Sequence, residues 1–96
     1  MSVSATASVR CVAGKAMVYV SVTNSDKNAT VDLAVSSSYG SKSFTGIVSG
    51  KSATQSFTTR LAAVGAGSVT VDASAVVNGD AVSSQVTAAY PAVSCN

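Results

Sequence analysis

Residues 69–89 read VTVDASAVVNGDAVSSQVTAA, and this segment predicts a β-hairpin. Its centre is Asn78-Gly79, a pair typical of type I′ turns because both central positions of that turn need a positive φ angle. Folding the chain there gives five pairs on a mostly apolar face: Val77 with Asp80, Ala75 with Val82, Ala73 with Ser84, Val71 with Val86, and Val69 with Ala88. The mostly polar face pairs Val76 with Ala81, Ser74 with Ser83, Asp72 with Gln85, and Thr70 with Thr87. A shift by one residue would mix the two faces, so the pattern predicts this register.

The rest of the chain shows the same alternation of apolar and polar residues, without a competing helical period. We predict strands at residues 3–11, 17–23, 30–35, 42–48 and 52–59. Turns or loops are predicted at residues 13–15, 24–28 and 49–51, a corner or crossover at residues 36–41, and a long crossover loop at residues 60–67. Together with the final hairpin, this makes about seven short strands.

About seven strands with polar turns between them are typical of an all-β domain. Because 96 residues make one domain of ordinary size, we expect residues 1–96 to form a single antiparallel two-sheet sandwich. The expected architecture is immunoglobulin-like or fibronectin-III-like. It lacks the signature tryptophan of true immunoglobulin domains, since the sequence contains no tryptophan. A small closed barrel is the alternative.

The composition argues against catalysis. Valine, serine, alanine and threonine fill 60 of the 96 positions, and the sequence has no histidine and no glutamate. Without these residues the chain lacks the commonest catalytic base and any glutamate acid–base pair, so we expect no enzymatic activity and no cofactor. The four aspartates lack the spacing of a calcium loop, which favours solvated surface carboxylates over a metal site.

Cys11 and Cys95 lie near opposite ends of the chain. They lack CxxC spacing and a histidine partner, so a disulfide is favoured over a zinc site or over two unrelated buried thiols. A disulfide is typical of secreted and cell-surface domains, and we therefore expect an extracellular protein. No signal-peptide pattern is present, so the export signal is expected upstream of residue 1.

Membrane and nucleic-acid partners are not expected. No apolar run approaches the ~20 residues that span a bilayer. The six lysines and arginines are spread singly along the chain, whereas a nucleic-acid interface is typically a clustered basic patch.

Two tyrosines are candidate ligand-binding residues. Tyr19 alternates with Val18 and Val20, which predicts its ring on the outer surface of a sheet. Tyr39 stands beside Gly40, where a ring would project from a corner, and an exposed ring can stack on the CH face of a sugar. The alternative is that both rings only cover sheet edges. The hydrogen-bonding neighbours chosen from their chemistry and predicted exposure are Lys42, Asp72 and Gln85. The remaining aromatic residues, predicted to pack inward, are Phe44, Phe57 and Tyr90.

Several segments carry a resemblance to a known family: Cys11-Val-Ala-Gly-Lys-Ala, Tyr39-Gly40, Gly50-Lys51-Ser52-Ala53, Gln55-Ser56-Phe57, Thr59-Arg60 and Tyr90-Pro-Ala-Val-Ser-Cys95. They resemble small C-terminal β-sandwich modules of polysaccharide-degrading enzymes that high-GC Gram-positive bacteria secrete. The resemblance extends from about Cys11 to Cys95. It implies a non-catalytic accessory module that binds polysaccharide weakly or spaces domains, with an upstream catalytic domain in the same polypeptide.

Two other functions remain open. An immunoglobulin-like structural spacer, or a cell-surface adhesion module, would have the same fold without sugar affinity. The third hypothesis is a small-ligand carrier, because the composition is similar to that of the enediyne-carrier apoproteins of actinomycetes. Those sandwiches have two disulfides and a cleft, whereas this sequence has a single cysteine pair.

Overall fold

The computed structural model describes residues 3–26 and 29–95. In these ranges the chain forms nine strands: β1 (Val3–Val12), β2 (Lys15–Asn24), β3 (Val31–Ser37), β4 (Gly40–Ile47), β5 (Ser52–Thr58), β6 (Ala63–Val64), β7 (Gly67–Val77), β8 (Asp80–Tyr90) and β9 (Val93–Ser94). The described residues form no helix long and apolar enough to cross a membrane. The all-β prediction is confirmed, and the two strands beyond the predicted seven, β6 and β9, have two residues each.

The seven longer strands of the described chain form two antiparallel sheets. One has the order β1-β2-β5 and the other the order β4-β3-β7-β8, while β6 and β9 pair with each other. The inward faces of both larger sheets contribute to one hydrophobic core. The arrangement is the predicted two-sheet sandwich, and its Cα atoms extend over 51 × 17 × 16 Å.

The hairpin of β7 and β8 has the register that the sequence predicts, from Val77 opposite Asp80 to Val69 opposite Ala88. Asn78 and Gly79 have φ angles of 52° and 84°, as a type I′ turn requires. The hairpin prediction is therefore confirmed pair by pair. This hairpin supplies one edge of the four-stranded sheet, and β3 pairs with its inner strand, β7.

Valines dominate the core because they alternate with polar residues along each central strand. The largest fully buried side chains are Val18, Val20, Val22, Val31, Val35, Val69, Val71 and Asn24. Burying one such valine contributes roughly 1.5 kcal/mol. Phe57 and Tyr90 are the buried aromatic residues, each about 5% exposed, and Phe44 packs against the core from an edge strand. The inward positions predicted for these three rings are confirmed.

Two connections differ from the sequence prediction. Residues 36–41 form a tight hairpin between β3 and β4 instead of a crossover, and the Ser37 hydroxyl accepts a hydrogen bond from the Tyr39 amide at 3.1 Å. The crossover loop predicted at residues 60–67 contains β6, whose two residues pair with β9. Of the loop predicted at residues 24–28, Asn24 ends β2, and residues 27 and 28 lie outside the described ranges.

One end of the sandwich is closed by the predicted disulfide, and we call it the disulfide end. Cys11, one residue before the end of β1, is bonded to Cys95, and the two Cα atoms are 5.6 Å apart. The Cys95 amide donates a hydrogen bond to the Ala62 carbonyl at 2.6 Å. The disulfide prediction is confirmed, and the bond fixes the C-terminal segment beside the turn between β1 and β2.

The opposite end is closed by a buried amide, and we call it the Asn24 end. Asn24 is fully buried, and its Nδ2 donates hydrogen bonds to the carbonyls of Ala29 at 2.8 Å and Ile47 at 2.9 Å. Its Oδ1 accepts a hydrogen bond from the Asp26 amide at 3.0 Å. One side chain thus joins the end of β2 to the segment before β3 and to the last residue of β4.

Candidate functional site

The outer face of the four-stranded sheet is concave. It contains a depression of about 450 Å³ and a neighbouring one of about 670 Å³, which share Asp32, Ser74 and Ser83. We call this continuous surface the outer groove. Its outward side chains are Asp32 and Ala34 on β3, Ser43 and Thr45 on β4, Asp72 and Ser74 on β7, and Ser83 and Gln85 on β8.

Strand register explains why these side chains share a face. Ser43, Ala34, Asp72 and Gln85 form one row across all four strands, because each is directly opposite the next. Residues opposite each other in antiparallel strands point to the same side of the sheet. Ala34 has the shortest side chain of the row and lies between Ser43 and Asp72, so the row is lowest at Ala34. The short Ala34 side chain therefore forms part of the floor of the depression.

A hydrogen-bonded pair orients polar atoms on one side of the groove. Gln85 Nε2 donates a hydrogen bond to Asp72 Oδ1 at 2.8 Å, and both side chains are exposed. The pairing fixes the direction of the carboxylate and the amide relative to each other. The second carboxylate oxygen of Asp72 and the Gln85 carbonyl oxygen can accept hydrogen bonds from a ligand.

A β-bulge orients the second carboxylate. Val31 pairs with Ile47, but Leu33 pairs with Phe44, so β4 has an extra residue opposite Asp32. Gly46 lies in this bulge with a φ of 69°, and its amide donates a hydrogen bond to Asp32 Oδ1 at 3.0 Å. The bulge therefore directs a backbone donor to the groove and fixes the Asp32 side chain.

The charges in the outer groove have one sign. Asp32 and Asp72 are its charged members among the described residues, and no lysine or arginine lines the two depressions there. The described residues contain no group of three or more side chains of the kind that holds a metal ion. Towards the turn between β7 and β8 the groove becomes apolar, with Val76 at 71% exposure beside Ala81. The groove thus combines carboxylates and hydroxyls along its length with a small apolar patch at Val76 and Ala81.

The structure brings together two of the five residues that the sequence indicated for binding. Asp72 and Gln85 are adjacent in the outer groove. Lys42 is exposed on β4, but it lies opposite Val35 and therefore on the inward side of that edge strand. Tyr19 lies on the outer face of the other sheet. The described chain therefore does not place all five around one ligand.

The Tyr19 ring faces outward, as predicted, and already has a partner. The Arg10 guanidinium lies 5.3 Å from the centroid of the ring, within the range of a cation–π interaction. The Tyr19 hydroxyl is 3.9 Å from Met17 Sδ, and the side chain is half-buried. A sugar stacking on this ring would have to displace or share the arginine.

Tyr39 lies in the turn between β3 and β4, and its ring packs against the hydrophobic core instead of projecting from the corner. It neighbours Tyr90 at the disulfide end. Burial raises the pKa of Tyr90, and the Tyr39 side chain raises it further as a like charge and through a hydrogen bond. These contacts give Tyr39 a role in packing.

Sequence reasoning missed most of the outer groove, including Asp32 and Ala34. The predicted hairpin register already placed Ser74, Ser83, Asp72 and Gln85 on one polar face, but it could not show which strand covers the other side of β7. Comparisons of the chain with protein-family models, curated proteins and solved structures find no match. The functional interpretation therefore depends on the geometry of the groove.

Proposed function

We propose that the chain is a non-catalytic accessory module of a secreted bacterial polysaccharide-degrading enzyme, and that it binds carbohydrate weakly in the outer groove. One observation carries the proposal: a concave sheet face whose outward side chains are hydroxyls, an amide and carboxylates. Sugars present many hydroxyl groups, which such side chains can bind. The hydrogen bond from Gln85 orients the Asp72 carboxylate, and the hydrogen bond from the Gly46 amide orients the Asp32 carboxylate. Both carboxylates can then accept hydrogen bonds from sugar hydroxyls.

The expected affinity is low. Each net hydrogen bond contributes about 1 kcal/mol, and association itself costs several kcal/mol. The apolar patch at Val76 and Ala81 adds a contact for the CH face of a sugar, but the described lining of the groove contains no tryptophan or tyrosine. A few such contacts correspond to dissociation constants in the high-micromolar to millimolar range. Binding should be detected on polymers, where neighbouring sites raise the local concentration, and barely on monosaccharides.

The charge of the groove favours neutral over acidic glycans. A uronic acid placed within ~4 Å of Asp72 or Asp32 would be repelled by roughly 1 kcal/mol even in a water-like environment. Since the described lining has no cation to offset this repulsion, neutral polymers such as xylan or mannan are the expected ligands.

Affinity electrophoresis tests the proposal. Native gels containing xylan, mannan, β-glucan, a chitin derivative or a polyuronate should show retardation of the wild-type domain by at least one neutral polymer. Asp72→Ala should weaken that retardation, because it removes a carboxylate acceptor and frees Gln85. Asp80→Ala is the matched control, since Asp80 is an exposed aspartate of the same hairpin outside the groove. The absence of retardation on every polymer would contradict the proposal.

A structural spacer is the second candidate, and the path of the chain favours it. β1 begins opposite Asn24 at one end of the elongated sandwich, whereas Cys95 is bonded at the other end. Segments attached before and after the domain would therefore be held apart by its long axis. The spacer hypothesis expects a folded domain that no polymer retards.

A further inference from the structure

The route of β1 through the sandwich has a mechanical consequence that is independent of sugar binding. β1 extends from Val3, opposite Asn24, to Val12, opposite Lys15, so it connects the Asn24 end to the disulfide end. Ten residues at ~3.3 Å each make a strand of about 30 Å. No other element is needed to carry the chain from one end of the sheet to the other.

The disulfide joins this strand directly to the C-terminal segment. Cys11 and Cys95 are 84 residues apart in sequence but covalently linked. The shortest covalent path from Val3 to Cys95 therefore follows the eight peptide bonds of β1 from Val3 to Cys11 and then crosses the sulfur atoms. All of β2 to β9 lies inside the loop that the disulfide closes.

Tension applied along this path can lengthen the domain very little. A strand already rises ~3.3 Å per residue, and a fully extended chain reaches at most ~3.6 Å. Stretching from Val3 to Cys11 could therefore lengthen the path by only a few ångströms. The ladder between β1 and β2 bears little load, because both points of attachment lie on the same strand.

Without the disulfide, the same tension would reach the fold through its weakest pairing. Cys95 follows β9, a two-residue strand that pairs only with the two residues of β6. Once β9 separates, β8 is loaded next and the sandwich opens. The chain between the cysteines, a sequence separation of 84, would then add about 300 Å at ~3.6 Å per residue.

We propose that the domain is an inextensible tether: the Cys11–Cys95 disulfide routes tension through β1 alone and shields the rest of the sandwich from force. Segments attached before and after the domain would be held at a fixed distance while the sandwich stays folded. Because Cys11 is exposed, a reductant has access to the bond, and its cleavage converts the tether into an extensible one.

Single-molecule force spectroscopy tests the tether. The whole chain is placed between reference domains of known unfolding length and pulled through its two termini. In oxidising buffer we expect the reference domains to unfold while this domain adds less than about 10 Å. Adding dithiothreitol at constant force should then release about 300 Å in the same molecule. This design needs no variant to fold without the disulfide.

Changing the point of attachment provides the control. A handle inserted between Asn78 and Gly79, paired with the C-terminal handle, applies load to strands inside the disulfide loop. We expect an unfolding step from this geometry even in oxidising buffer. A release of about 300 Å from the oxidised domain pulled at its termini would overturn the proposal, as would the lack of any added release after reduction.

Discussion

The two ends of the sandwich close the same valine core by different means. At the disulfide end a covalent bond joins β1 to the C-terminal segment, and the buried Phe57 and Tyr90 lie at or near the ends of β5 and β8 there. At the Asn24 end a single amide makes three hydrogen bonds to surrounding backbone. A thin core leaves both ends open to water, and the comparison shows that either a crosslink or a fully satisfied polar side chain can close one.

The two closures should differ in strength and in what disrupts them. A disulfide acts mainly on the unfolded chain, whose freedom it restricts. Asn24 acts in the folded state, where its removal would leave buried carbonyls without donors. The following predictions compare the ends, beginning with the largest effect.

Reduction of the disulfide should have the largest effect on stability. Closing a loop across a sequence separation of 84 stabilises by about 4.5 kcal/mol on the chain-entropy model, so the midpoint of thermal unfolding should fall by on the order of 20 °C. The measurement is calorimetry with and without reductant. A Cys11→Ser, Cys95→Ser double variant should match the reduced protein and should not respond to reductant. An unchanged midpoint would show that the disulfide end does not depend on its crosslink.

Asn24→Ala should destabilise the opposite end by roughly 3 kcal/mol, because it leaves the buried Ala29 carbonyl and the half-buried Ile47 carbonyl without their donors. Urea unfolding measures the loss. Thr23→Ala is the neighbouring control: it removes a hydrogen bond between exposed hydroxyls, to Ser52, and should change stability by less than about 0.5 kcal/mol. Equal losses in both variants would mean that Asn24 is not the closing residue.

Tyr90 should make the disulfide end sensitive to alkaline pH. Burial, followed by the contact with Tyr39, raises the pKa of Tyr90 above its ordinary value of about 10, so the fold favours the neutral phenol. Its contribution is fully present below pH ~10 and is lost as the pH rises through the raised pKa. Unfolding free energies measured across pH 8–12 should therefore fall more steeply in the wild type than in Tyr90→Phe. Parallel curves for the two proteins would refute the prediction.

Substitutions in the hairpin turns at the two ends should change the stability of the domain by the smallest amount. At the Asn24 end the turn has Asn78 before Gly79, whereas the turn at the disulfide end has Ala13 before Gly14, and Ala13 has a φ of 52°. Alanine is unfavourable in this left-handed conformation by roughly 1 kcal/mol, and asparagine tolerates it better. Ala13→Asn should stabilise the domain by about 0.5–1 kcal/mol, and Asn78→Ala should destabilise it similarly. Thermal unfolding of both variants would show whether the signs are opposite.

The hairpin register and the disulfide could both be predicted from the sequence alone. The β7–β8 register could be derived because Asn78-Gly79 fixes the turn and the alternation of side chains fixes the pairing on both strands. The disulfide could be predicted because only two cysteines are present. Each of these conclusions needs no knowledge of how distant strands are arranged.

Sheet order and the outer groove could not be derived in this way. Ala34 becomes the floor of the groove only because β3 lies between β4 and β7, and nothing near Ala34 in sequence indicates β7 as a neighbour. Asn24 was predicted to begin a loop because a polar residue after an alternating strand usually faces water, but the loop ends fold over it. Tyr39 was predicted to project because it stands beside Gly40 at a strand end, and the sequence does not show that Tyr90 packs at the same end.

The predominance of valine in the core bears on the entropy of folding. Seven of the eight largest fully buried side chains are valines, and a valine has a single side-chain torsion that branching at Cβ already restricts. Ordering such a core therefore costs little rotamer freedom compared with the ~0.5–1 kcal/mol lost by each leucine or isoleucine. This low entropic cost partly compensates for the small apolar area that each valine buries. Enlarging Val20 or Val71 to isoleucine would add contact area, but it would also add a torsion that folding must freeze.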